Sequence, residues 1–501
     1  MNKRGKGILG LSLAAGMILC GGLIFAACDQ GVNVGLNYAE HNWVAVNSYD
    51  EDENFMMCMD CGETSLPVVA INVDNKLTKE YSRGTVSVVA GDDEYNIDSV
   101  PAQVKVRGNG TATYPKLPYR IKFDKKQKML GLNDDLKAKS WVLLEEYSDR
   151  SMLKNTSALY MARQILGEDG YYVSDCRFVE VYINDVYQGV YLLAEQQQIN
   201  AGRININEVE DGYTGTDIGY LFELDSYYYN EEFTFDINYN ELKFIDGQRA
   251  PLNLFVNHFT IKNDVYSEQQ VAFLKKAVQN IWTIMYDSAY NDHSNLEDNP
   301  YKTLNENCDL INDKTITTAK EAVERVVDLQ SLVDTFLLHE ICENSDVGWS
   351  SFFFSLDMSE EGNKKLTFEA PWDFDLALGQ ATYNTEILYT CTNSNYLVKL
   401  ANPWLVVLSG QDWFMEEAAQ KWQEIRQKQV IEKTILKITT EVALYSRSFE
   451  RNFLLWPSCL TFTTSQISDR YRAAHTQYDA SLWLKEFILK RAKFLDSYFG
   501  I

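Results

Sequence analysis

The chain has 501 residues, 46% of them hydrophobic, enough for a large core in two lobes. Its 46 Lys+Arg against 71 Asp+Glu leave a net charge of −25. A surface of that sign repels nucleic acid and anionic lipid, keeps the protein soluble, and suits a Lys/Arg-rich protein partner.

Residues 1–28 read as a leader. Lys3, Arg4 and Lys6 precede an apolar run from Ile8 to Phe25, and Ala26-Ala27 leads to Cys28. This is the layout of a secretory signal. Phe25-Ala26-Ala27-Cys28 resembles a bacterial lipobox, in which Cys28 would carry lipid and become the mature N-terminus. The expectation is an exported protein held at the bacterial cell surface through Cys28. Phe25 replaces the usual aliphatic residue, so simple cleavage or an uncleaved anchor stays open. No later stretch is apolar for long enough to span a bilayer. Contact with membrane is therefore expected through the anchor alone.

Residues 29–65 are polar and acidic, with Asp50-Glu51-Asp52-Glu53 in the middle, and read as a tether. Within them His41 and Cys58-x-x-Cys61-Gly62 offer three zinc ligands. In an exported protein a Cys58–Cys61 disulfide competes with zinc. The later cysteines are scattered and make no disulfide framework; Cys176 and Cys342 sit in apolar contexts and read as buried thiols.

From residue 66 to 264 the pattern is β-rich. Strands are expected at Pro67–Val73, Thr85–Val89, Ala102–Val106 and Pro118–Phe123, and the apolar run Trp141–Leu144 follows them. Asp149 or Ser151 is placed to cap a helix running to about Leu166. Phe178–Ile183 and Gln188–Glu195 read as a hairpin turning at Asn184-Asp185, and Gly219–Asp225 as a further strand. From 265 to 501 apolar spacing turns helical, over Gln270–Tyr286, Leu329–Cys342, Trp413–Gln427, Lys433–Leu444 and Leu482–Phe499. The polar stretch Asn291–Ile316 reads as a surface insertion.

Three places carry chemistry. Arg107-Gly108-Asn109-Gly110 is a glycine turn whose amides can face phosphates, and the strand after it presents Lys122. Glu343-Asn344-Ser345-Asp346 follows a helix end. Trp372-Asp373-Phe374-Asp375 sets two carboxylates two residues apart, and hard cations such as Mg²⁺ take such oxygens with substrate phosphates completing the shell. This is the order of parts in a kinase-like phosphotransferase, although His-Arg-Asp and Asp-Phe-Gly are absent. A metal-dependent hydrolase would use the same aspartates, but the five histidines are dispersed.

The chain resembles the CotH (spore-coat protein H) kinase family. The matching pieces are Val106-Arg107-Gly108-Asn109-Gly110-Thr111, Lys116-x-Pro118-Tyr119-Arg120-Ile121-Lys122-Phe123, Leu130-Gly131-Leu132, and Trp141–Leu144 with Asp149-Arg150-Ser151. Val181–Asn184 with Gly189–Leu192, Asn344-x-Asp346 and Pro371–Gly379 complete the series in family order. The resemblance implies an α+β, atypical protein-kinase-like fold with a β-rich N-terminal lobe and an α-rich C-terminal lobe. It also implies transfer of the γ-phosphate of ATP to Ser or Thr of proteins, with Mg²⁺ or Mn²⁺. Carried over by motif, Lys122 would bind nucleotide phosphates with Arg107 as helper, and Glu195 would lie near the nucleotide. Asp346 would orient the acceptor hydroxyl or bind metal, supported by Asn344. Asp373 and Asp375 would hold the metal, with the primary ligand left open. Gly110 stands where the family often has Ser, and Lys154 where arginine is common. The alternative is a surface-attached binding or assembly protein on the same scaffold, with weak or lost catalysis.

Overall fold

The strand Tyr119–Gln127 shows how the first half is built. Tyr119, Ile121 and Phe123 are buried, Arg120 is half-buried and Lys122 exposed, the two-residue alternation of a sheet with one packed face. In this computed structural model, which describes residues 36–47, 54–245, 249–250, 258–380, 385–391, 402–463 and 467–501, seven such strands close a barrel. In order around it come Val186–Glu195, Ala138–Leu144, Tyr119–Gln127, Ile97–Val106, Ser82–Val89, Val68–Val73 and Cys176–Ile183, the last pairing back to the first. Val68–Val73 and Cys176–Ile183 run parallel. Closure removes unpaired edges. The interior is filled by side chains such as Val69, Ile71, Val104, Ile121 and Trp141. The leader with Cys28, and the run Asp50–Glu53, lie outside the described residues.

The expected tether is a folded piece. Trp43–Asn47, Asn54–Cys58 and Thr64–Ser65 form a three-stranded sheet. Met56 packs with Val68, Ala70, Tyr182 and Tyr187 against the outside of the barrel, and the Tyr182 hydroxyl donates to Leu36 O at 2.7 Å. Few apolar residues are needed there because the barrel supplies the other half of the contact.

A second sheet lies beyond the barrel, in the order Thr234–Phe235, His258–Ile261, Gly219–Asp225, Phe352–Asp357, Thr367–Phe368. It draws strands from both sides of residue 264, so the halves expected to divide there share one sheet and one core. With 34% helix and 24% strand among the described residues, the mixed content is that of an α+β protein. The helix Glu268–Tyr290 begins at a reciprocal cap, in which Ser267 and Gln270 exchange backbone and side-chain hydrogen bonds. Leu329–Cys342 forms as expected, and Asp412–Gln427, Val430–Leu444 and Gln477–Phe499 extend the expected spans. The helix Ser446–Leu455 escapes the apolar pattern because Arg451 is buried in it, paired with Glu180. The polar stretch 291–316 contains the hairpin Lys302–Leu304 with Leu310–Asn312.

The last hundred residues grip the barrel. Lys116 Nζ reaches Asn452 Oδ1 at 2.8 Å. The Arg150 guanidinium donates to the carbonyls of Phe462, Tyr471, Arg472 and Ala474 at 2.9–3.1 Å. Asp149 accepts from the amides of Ser151 (2.8 Å) and Lys154 (2.9 Å), so it serves the start of helix Lys154–Ile165 from outside the cap position. Lys116 and the Asp149-Arg150-Ser151 string are thus fastenings between the barrel and the C-terminal segment.

Candidate active site

The helix Leu329–Cys342 runs through the core with every residue except Gln330 buried. It ends where Glu343 turns to φ 45°, and the exit loop carries Asn344 and Asp346. Asn344 braces two loops: its Oδ1 accepts from Asp346 N at 3.0 Å, and its Nδ2 donates to Asp373 O at 3.2 Å.

The Asp373–Asp375 loop is held by its backbone. Phe374 N donates to Asn155 Oδ1 at 2.8 Å, and Lys154 Nζ to Asp375 O at 3.0 Å. Asp373 itself sits at φ 67°, a left-handed turn that aspartate tolerates. Gly379 closes the loop at φ 82°; a Cβ there would strike Phe487 and Trp483 at 2.7–2.9 Å. The side chains are pinned more lightly: Ser351 Oγ donates to Asp373 Oδ2 at 3.1 Å, and Ser148 Oγ to Asp375 Oδ2 at 2.5 Å.

These carboxyls crowd one another. Burial, then Asp375, then Asp346 push Asp373 well above the usual carboxylate range against the pull of Arg107. Burial and then Asp375 push Asp346 up to about 7. Burial, with Asp375 adding to it, raises Glu145 to about 7 as well. Such a cluster is relieved by a cation. Asp373 and Asp375 offer paired hard oxygens that fit Mg²⁺ or Mn²⁺, with phosphate oxygens and water left to complete the shell.

Cations collect in the same place. Asp346, Asp373 and Asp375 line a cavity of about 880 Å³ together with Lys79, Lys105, Arg107, Arg120 and Lys262. Lys262 is matched by Glu223 at 2.9 Å. Lys79 and Lys105 are lowered by desolvation and then by neighbouring cations, and burial likewise lowers Arg107. Arg120 has a buried Nε with no hydrogen-bond partner among the described residues. Gly108 stands at φ 77°, where a Cβ would lie 2.1 Å from Thr111 Oγ1, so the turn needs glycine. Lys79 Nζ bonds the Gly108 carbonyl.

Of the sequence candidates, Arg107, Asp346, Asp373 and Asp375 meet at this cavity, with Asn344 bracing them. Lys122 does not reach it. It is exposed on the same outer face as Arg120, which lines the cavity in its place. Glu195 is buried in a 2.8 Å ion pair with Arg203 and accepts from Asn133, while the residues after it, Gln196, Gln197 and Gln198, line the cavity. Lys79, Glu145, Ser148, Lys154 and Asn155 were not legible as site residues. Only Lys154, three positions after Asp149-Arg150-Ser151, carried a motif signal.

His41, Cys58 and Cys61 lie apart from this cleft. Their ligand atoms fall within 4.8 Å of one another, the one such trio among the described residues, and both cysteines are free thiols.

The raised carboxyls fix a pH dependence. The folded chain holds protons on Asp346 and Glu145 that the unfolded chain releases near pH ~4, so stability falls as pH climbs toward about 7. A divalent cation held by these carboxylates would favour the deprotonated forms and offset that loss. The gain in Tm on adding Mg²⁺ is expected to be larger at about pH 8 than at about pH 5. Equal gains at both ends would contradict a metal site at these carboxylates.

Among known families, the one described as CotH kinase protein matches residues 104–495. The match begins inside the barrel strand Ile97–Val106 and so leaves out the N-terminal sheet. No curated protein matches the chain.

Proposed function

The chain belongs to the CotH kinase family, and from that premise we propose that it is an ATP-dependent protein kinase acting on Ser or Thr. One observation carries this reading. In a protein of net charge −25, a basic set and an acidic set face one cavity: Lys79, Lys105, Arg107 and Arg120 against Asp346, Asp373 and Asp375. A polyphosphate with a divalent ion satisfies both sets at once.

In this reading Arg107 and Arg120 bind phosphate oxygens, with the Gly108–Gly110 turn beside them. Asp373 and Asp375 hold Mg²⁺ or Mn²⁺, which when bound neutralises charge on the transferring phosphoryl group. Asp346 accepts the proton of the Ser or Thr hydroxyl as its oxygen takes the phosphoryl group and ADP leaves. In this reading the barrel and the helix-rich half play the parts of the two lobes of a kinase, and Gln196–Gln198 line the nucleotide side of the cavity. The acidic surface favours a substrate rich in Lys, Arg and Ser.

The test is transfer of label from γ-labelled ATP to such a protein by the purified full chain, with Mg²⁺ and separately with Mn²⁺. Absence of transfer with either metal, while the chain still binds the protein, would favour a surface-binding role. The same reading anchors the chain at the cell surface through Cys28. Labelled palmitate is expected in the wild type and not in Cys28→Ser; equal labelling of both would remove the anchor.

A further inference from the structure

The N-terminal sheet contains a second constellation that the family match does not cover. His41 stands just before the strand Trp43–Asn47, and Cys58 ends the strand Asn54–Cys58 that pairs with it. Cys61 lies on the turn that follows. His41 Nδ1 is 3.5 Å from Cys61 Sγ. Tetrahedral Zn²⁺ with Zn–S of about 2.3 Å and Zn–N of about 2.0–2.1 Å sets N···S near ~3.6 Å, so this spacing needs little adjustment.

The turn is built around the sulfurs. Gly62 N donates to Cys58 O at 2.9 Å and Cys58 N to Glu63 O at 2.9 Å, which closes the turn that carries both thiols. Gly62 takes φ 75°, which a glycine adopts freely. The two arms are tied independently: Met59 N donates to Asn42 O at 2.9 Å, and the His41 ring stacks on Trp43 at 4.7 Å between centroids. That preorganises the imidazole opposite the thiols. Cys61 is exposed and His41 half-buried, so one side is open to water.

We propose that His41, Cys58 and Cys61 bind Zn²⁺, with water as the fourth ligand, and that the ion clamps the two arms of the N-terminal sheet together. The clamped sheet also reaches the far end of the chain, since Glu63 pairs with Arg451 at 3.3 Å and Thr64 O accepts from the same guanidinium at 3.2 Å.

The full chain, purified under reducing conditions, is expected to hold about one Zn²⁺ per molecule by elemental analysis. Exchange for Co²⁺ should give thiolate charge-transfer bands and the intense visible bands of a tetrahedral ion. Cys61→Ser, an exposed position, should lose both signals. Cys176→Ser, on the barrel away from the trio, should keep them. Chelation should speed amide exchange within Trp43–Asn47 and Asn54–Cys58 but not in Tyr119–Gln127. Metal-free protein that also fails to take up Co²⁺ would overturn the site. So would full metal content in Cys61→Ser, or a Cys58–Cys61 disulfide that reforms in the presence of Zn²⁺.

Discussion

Asp373→Asn is expected to lower label transfer from ATP by about 10²–10³-fold, the usual cost of removing one charge-stabilising group from an active site. The substitution keeps the size of the side chain and a partner for Ser351 Oγ, which now lies 3.1 Å from Asp373 Oδ2. It removes one of two adjacent carboxylates and the charge that opposes Arg107. Because burial and Asp375 already disfavour ionised Asp373, the folded protein should be as stable as wild type or more so without metal. A fall in activity with an unchanged melt therefore reports on chemistry rather than folding. Transfer within about tenfold of wild type would remove Asp373 from the metal site. Beside it, Arg120→Ala and Lys122→Ala separate two residues that alternation cannot tell apart. The first should lose activity, and the exposed second should change little.

Arg491→Met is expected to destabilise the fold by about 3–5 kcal/mol, the cost of stripping one partner from a buried ion cluster. Arg491 is fully buried. It pairs with Glu340 at 3.1 Å and Glu343 at 3.0 Å, and donates to the carbonyls of Glu340, Thr385 and Ile387. Methionine fills much of the volume but leaves two carboxylates uncompensated. Glu343, already raised to about 7 by burial, would then hold its proton more tightly. Denaturant midpoints should show the loss, and activity should fall with it, because Glu343 is the turn that launches Asn344 and Asp346. A loss below about 1 kcal/mol would mean that the cluster contributes little net stability.

How far the sequence reaches can be seen in single residues. Asp346, Asp373 and Asp375 were legible because the chemistry needs carboxylates and the motifs space them. The strand Tyr119–Gln127 was legible because its first half alternates apolar and polar residues, and Val68–Val73 because it is a short apolar run. Closure of the strands into a barrel was not, because pairing of Val68–Val73 with Cys176–Ile183 is a contact across a hundred residues that no local pattern records. Arg120 and Lys122 share a face, and only the position of the cleft along the strand distinguishes them. Glu195 was misplaced because Arg203 turns it inward. The sheet before residue 66 was hidden by its composition, since only a few apolar residues, Met56 with Tyr38 and Trp43, pack it on the barrel.

The C-terminal grip on the barrel has a meaning in time as well as in space. Synthesis delivers the barrel first. The groups that receive Lys116 and Arg150 follow 336 and 321 residues later. Until then the buried Lys116 has only the Val190 carbonyl, the Arg150 guanidinium lacks the four carbonyls it ends on, and the Ser468 amide that bonds Gln380 O has not been made. A polypeptide released before Asn452 would carry Asp346, Asp373 and Asp375 but lack the groups that fasten Lys116 and Arg150, so its transfer activity should fall well below that of the full chain.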